Sequence, residues 1–192
     1  MFVRVERLLI KLRQPASRAE ELNALRQRMR DQLAADIGED ERKLAADVHR
    51  AKLAVSAQLT DVTSCAKDSG ACCAGVTAHL FEDRELAALV GAGTRLSGLT
   101  PPAKHDRHDG CAFRGPVGCT LATEHRPARC VHYVCNDLRR ELHRKGQLEA
   151  VESSLAELNL AMQRFAGVYA ERADREVLAP LIDALTDVSR KC

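Results

Sequence analysis

The chain has 192 residues, enough for one ordinary domain or two small ones. It carries eight cysteines but only six aromatic side chains and no Trp, and 29 Lys and Arg against 27 Asp and Glu leave a formal charge of +2. Near-neutral charge and few stacking rings argue against a nucleic-acid partner, and no run reaches the roughly 18 apolar residues that would cross a membrane. The opening MFVRVERLLIKLRQP is interrupted by Arg4, Glu6, Arg7 and Lys11, unlike a secretory signal. A cytoplasmic location is therefore expected, where thiols stay reduced and clustered cysteines point to metal or redox chemistry before disulfides.

Breakers and thiols divide the chain into three stretches. Seven cysteines, eight of the eleven Gly and four of the six Pro lie between residues 64 and 136. Residues 1–63 read as an N-terminal helical region, 64–136 as a cysteine-cluster segment and 137–192 as a C-terminal helical region, together one compact unit. The expected fold class is mainly α. A helical bundle from the two flanks would enclose an irregular Gly/Pro/Cys-rich metal-binding segment whose loops need more than an apolar core to hold them.

In the first flank, Ser17 and Glu20 form a capping-box signature. Leu22, Leu25, Met29, Leu33 and Ile37 then recur at steps of three or four, and Gly38 reads as the stop. A second helix is expected from about Asp40 to Thr63, with Leu44, Val48, Ala51, Val55 and Leu59 on one face. After the cysteine segment, a short helix from Asp137 should stop at Gly146. Leu148, Val151, Leu155, Leu158, Met162, Phe165 and Tyr169 follow as a heptad seam. Such a seam serves either packing within the chain or a homodimer. A final helix is expected to begin near Pro180, burying Leu181, Leu185 and Val188.

The candidate metal ligands are Cys65, Cys72, Cys73, Cys111, Cys119, Cys130 and Cys135. Their order is C-x6-C-C, a gap of 37 residues, then C-x7-C-x10-C-x4-C. The close knuckles of zinc ribbons and the closely set cysteines of bacterial ferredoxins are both missing, so spacing supports a metal without identifying it. Bundled thiolates repel one another and need a cation to offset them. Arg114, Arg126 and Arg129 are placed to moderate the charge of such a site from outside the ligand set. Pro127 should open a short helix that carries Cys130, with Arg126 held extended before it. The alternative for each cysteine is a buried free thiol or a disulfide, and Cys192 reads as a stray terminal thiol.

The segments Ser69-Gly70-Ala71-Cys72-Cys73, Gly118-Cys119 and Arg126-Pro127-Ala128-Arg129-Cys130, in that order, resemble the YkgJ-like cysteine-cluster family, described as a putative zinc- or iron-chelating domain. The cysteine-rich part of flagellin lysine methylases looks similar and is associated with an iron–sulfur cluster. The resemblance covers roughly residues 65–135. It departs from the family at Ser69, which stands where the family has Cys, and at Cys65, which lies one residue upstream of the family's first Cys. His79, His105, His108, His125 and His132 lie in the segment as alternative ligands.

The resemblance implies a metal-binding protein whose thiolates hold an iron–sulfur cluster, the preferred cofactor, or zinc. A redox or metal-handling role follows from it. The alternatives are a zinc-stapled interaction protein and a methyltransferase-like enzyme. No glycine-rich nucleotide fingerprint is present.

Overall fold

The computed structural model describes residues 17–62, 76–102, 110–115 and 118–190, with side chains to residue 179. The first helix, α1, spans Arg18–Ala34 and opens with the expected capping box, in which Ser17 and Glu20 satisfy each other's backbone N–H groups. It buries Leu22, Leu25 and Met29 on one face. The helix ends at Ala34, short of the expected stop. Gly38 instead stands at the N-cap of the next helix, with an ordinary negative φ of −65°.

That helix, α2, spans Glu39–Ala57, and a turn replaces its expected extension toward Thr63. Its buried positions are Glu41, Ala45, Val48, Lys52 and Val55, an apolar seam with one charge at its start and another between Val48 and Val55. Leu44, Ala51 and Leu59 flank this seam half-buried. The seam is thus rotated relative to the expected apolar face.

Two helices follow in what the sequence suggests is irregular chain: α3, Thr77–Leu80, and α4, Asp83–Gly91. Glu85 through Val90 of α4 are all buried. A two-stranded antiparallel hairpin pairs β1, Arg114–Gly115, with β2, Gly118–Cys119. A 3-10 turn at Thr123–His125 leads into α5, Ala128–His132, with Pro127 before its first turn and Arg126 extended, as expected. Next comes α6, Asn136–Arg144, closed by Gly146 at a φ of +67°, a conformation glycine adopts at little cost.

The last helix, α7, runs unbroken over Leu148–Arg190. The fresh start expected at Pro180 is absent. A proline there removes the hydrogen bond to the carbonyl of Glu176, which is exposed where water can replace the lost donor.

Two apolar clusters hold these elements together. One joins α1 to α4 and to the cysteine loops through Leu25, Met29, Phe81, Leu86, Leu89 and Phe113. The other joins α2, α5, α6 and α7 through Val48, Val55, Val131, Leu142, Leu158 and Phe165. Helix α4 serves both, with Leu86 and Leu89 in the first and Ala87 and Ala88 in the second. The heptad seam of α7 packs on α2 within the chain, burying Val151, Leu155, Leu158 and Phe165. Farther along α7, Arg172 is buried; its Nε donates to Glu41 Oε2 at 2.9 Å, and its guanidinium lies 5.2 Å from the centre of the Tyr169 ring. Among the described residues no helix is long and apolar enough to cross a membrane.

Candidate functional site

Three of the predicted ligands come together. Cys111, Cys119 and Cys130 line one cavity of about 330 Å³, walled by Leu80, Phe81, Phe113 and Val131. Each arrives on a different piece of chain: Cys111 on the loop before the hairpin, Cys119 at the end of β2, and Cys130 in the middle of α5. Gly110 and Gly118 stand immediately before two of these cysteines, with φ of +91° and +113°. Only glycine enters that backbone region without strain, which explains the repeated Gly-Cys pairs. All three thiols are free of disulfides.

Of the other predicted ligands only Cys135 lies among the described residues. Cys135 is also free, but its Sγ accepts the backbone N–H of Leu138 at 3.4 Å and caps α6, outside the cavity lining. Cys65, Cys72, Cys73 and Cys192 lie outside the described residues, as do His105 and His108. Of the remaining histidines, His125 is occupied: its Nδ1 stands 3.2 Å from Thr94 Oγ1. His79 and His132 are exposed and do not line the cavity. Among the described residues, no three His, Cys, Asp or Glu side chains form a group that could hold a metal ion. The three cavity cysteines thus share a lining without forming such a group among the described residues.

Polar side chains hold the cysteine-bearing loops, and sequence reading missed Lys52, Glu85 and Thr77 among them. Lys52 of α2 is 2% exposed, and its Nζ donates to Glu124 O at 2.9 Å and to Arg126 O at 2.8 Å. Glu85 of α4 accepts the N–H of Ala128 at 2.7 Å, fixing the first turn of α5. Arg126 Nε donates to Leu121 O at 2.8 Å. Cys130 is thus anchored from two helices and from its own loop. On the other side of the site, Thr77 is 1% exposed; its Oγ1 accepts the N–H of Ala112 at 2.8 Å and donates to Glu21. These bonds satisfy main-chain groups that no regular element pairs.

The signal for Lys52 was visible in its register. It stands four residues after Val48 and three before Val55, a charge on an apolar seam. Glu85 likewise begins the apolar run Leu86-Ala87-Ala88-Leu89-Val90.

Burial favours the neutral thiol at Cys111 and Cys130. Burial pushes the Cys130 thiol up to about 12, and the charges that Cys111, Cys119 and Glu85 carry add to the rise, while Arg126 opposes it. Burial also raises Cys111, against a hydrogen bond from Phe113. Glu85 is raised by burial, against the hydrogen bonds it accepts from Ala128 and Arg129. Lys52 is lowered by burial to about 8, with Glu85, Glu124 and Cys130 pulling the other way. Sulfurs that repel when ionised, in a cavity with Arg126 as its one charged lining residue among those described, suit a metal cation that would offset the thiolates.

No family model, no curated protein and no solved structure matches this chain.

Proposed function

We propose that this chain is a metal-binding cysteine-cluster protein of the cytoplasm, in which Cys111, Cys119 and Cys130 hold an iron–sulfur cluster together with at least one of Cys65, Cys72 and Cys73. The observation that carries this reading is the gathering of three cysteines from three separate elements around one cavity. The order of the SGACC, Gly-Cys and Arg-Pro-x-x-Cys segments, which resembles the YkgJ-like cluster family, points the same way.

A cluster is preferred to a single zinc ion because the close cysteine knuckles of structural zinc sites are missing from the spacing. When bound, an iron–sulfur cluster supplies one-electron chemistry. The chain's own contribution is to supply thiolates, to exclude water with Phe81, Phe113 and Val131, and to bring positive charge to the site on Arg126.

Purification without oxygen, followed by iron, acid-labile sulfide and zinc analysis, tests the reading. A brown protein with iron and sulfide in comparable amounts is the expected outcome. A colourless protein with one zinc per chain replaces the cluster with a zinc staple. Absence of both metals, with all thiols free or disulfide-bonded, contradicts the metal reading altogether.

A further inference from the structure

The outer face of α7 carries a second heptad series. Leu160, Arg164, Gly167, Glu171, Asp174 and Leu178 follow one another at steps of four and three, and all six are exposed. Leu160 and Leu178 are about five helical turns apart, so they lie on one line along the helix. The buried seam of Val151, Leu155, Leu158 and Phe165 occupies the opposite side. Among the described residues, the ion pairs of α7 use Glu152, Arg172 and Glu176, so Arg164, Glu171 and Asp174 are left to solvent. Gly167 stands at the middle of this face. A glycine within a helix is unfavourable relative to alanine, yet a Cβ there would meet nothing within 4 Å in its own chain. A second helix lying close over this point would make use of the missing side chain.

We infer that the outer face of α7 binds a second copy of the chain, with the two α7 helices antiparallel and centred near Tyr169. The charges decide the direction. In an antiparallel pair, Leu160 faces Leu178 of the second copy, Arg164 faces Asp174, and Gly167 gives room to Glu171. In a parallel pair, each of Arg164, Glu171 and Asp174 would face its own copy, like charge against like. Polar residues on such a seam lower affinity while fixing orientation, so the dimer is a reversible one. The inference is independent of the metal reading above.

Sedimentation equilibrium of the full-length chain, with its thiols reduced so that no disulfide imitates a dimer, tests it. The wild type should show a monomer–dimer equilibrium over micromolar concentrations. Arg164→Asp sets like charges against each other at both symmetry-related contacts and should weaken the dimer by about 5- to 30-fold. Adding Asp174→Arg to that variant restores opposite charges and should bring affinity back to within about threefold of wild type. Leu178→Glu removes the apolar contact and should weaken the dimer by about tenfold or more. Gly167→Leu leaves every charge in place and improves helix propensity, yet it should also weaken the dimer by blocking close approach.

These positions are exposed, so each variant should keep the helical circular dichroism of the wild type. A wild type that stays monomeric over that range overturns the inference. A dimer left unchanged by both Arg164→Asp and Leu178→Glu uses another face and overturns it equally. Weakening by Arg164→Asp without recovery in the double variant contradicts the antiparallel register.

Discussion

The α2–α7 pair and the cysteine loops between residues 110 and 132 solve the same problem by different means. Along α2 and α7 the backbone satisfies itself, and position is set by apolar burial of Val48, Val55, Val151, Leu158 and Phe165. In the loops few main-chain groups have regular partners, and buried side chains of Thr77, Glu85 and Lys52 supply them. A region with little regular structure depends on polar anchors reaching out of the neighbouring helices. Damage to the helices should therefore appear as lost stability, and damage to the anchors as a displaced cysteine.

The largest effect should come from the helix pair. Phe165→Ala opens a cavity at a fully buried position and should cost about 3–5 kcal/mol in urea unfolding. Thr77→Val keeps the shape but leaves the buried N–H of Ala112 without its acceptor, and should cost about 1–3 kcal/mol. Thr77→Ser should recover most of that loss in the same measurement. If Thr77→Val is neutral, the polar anchors are not what holds the loops.

Lys52 gives the comparison a pH dependence in the metal-free chain. Below pH 8 folded and unfolded states both hold its proton, and the cost of burying the charge is fully present. Between about 8 and 10.5 the folded chain releases that proton while the unfolded chain keeps it, so stability from this group rises with pH. Relative to Lys52→Met, the wild type should therefore gain about 2 kcal/mol between pH 7 and pH 9.5 in urea unfolding. The Cys130 thiol, raised to about 12 by burial, works in the opposite direction above its ordinary value of 9, because the unfolded chain then ionises first. Taking the difference between wild type and variant isolates Lys52. A flat difference across that range would show that Lys52 holds its proton throughout.

The smallest effect belongs to the exposed start of α1. Ser17→Ala removes one half of the capping box and should cost about 1 kcal/mol, with no change in metal binding.

The helical flanks were legible because periodic burial repeats itself. The capping box at Ser17 and Glu20, the buried face of α1 and the seam of α7 all follow from spacing. So did the stop at Gly146 and the turn of helix carrying Cys130 after Pro127. The ends of α1 and α2 were less legible, because Gly38 suits a helix start as well as a stop. Pro180 misled for a related reason: its missing N–H matters less where the carbonyl it would have met belongs to an exposed residue.

The anchors escaped because they are single charges whose partners are distant backbone atoms. Lys52 and Glu124 are 72 residues apart, and Glu85 and Ala128 are 43 apart. No local pattern encodes those pairings. Motif order put Cys111, Cys119, Cys130 and Cys135 among the candidates alike and could not tell the three that line one cavity from Cys135, which does not. Its role as a cap depends on the start of α6 falling at Asn136, one residue before the expected start at Asp137.

The most direct test of the central claim is the metal content of four single variants purified without oxygen: Cys111→Ala, Cys119→Ala, Cys130→Ala and Cys135→Ala. The first three should lose most of the bound metal, while Cys135→Ala keeps it and loses only the stability of one helix cap. Metal retained in all of the first three variants would contradict a thiolate centre in this cavity.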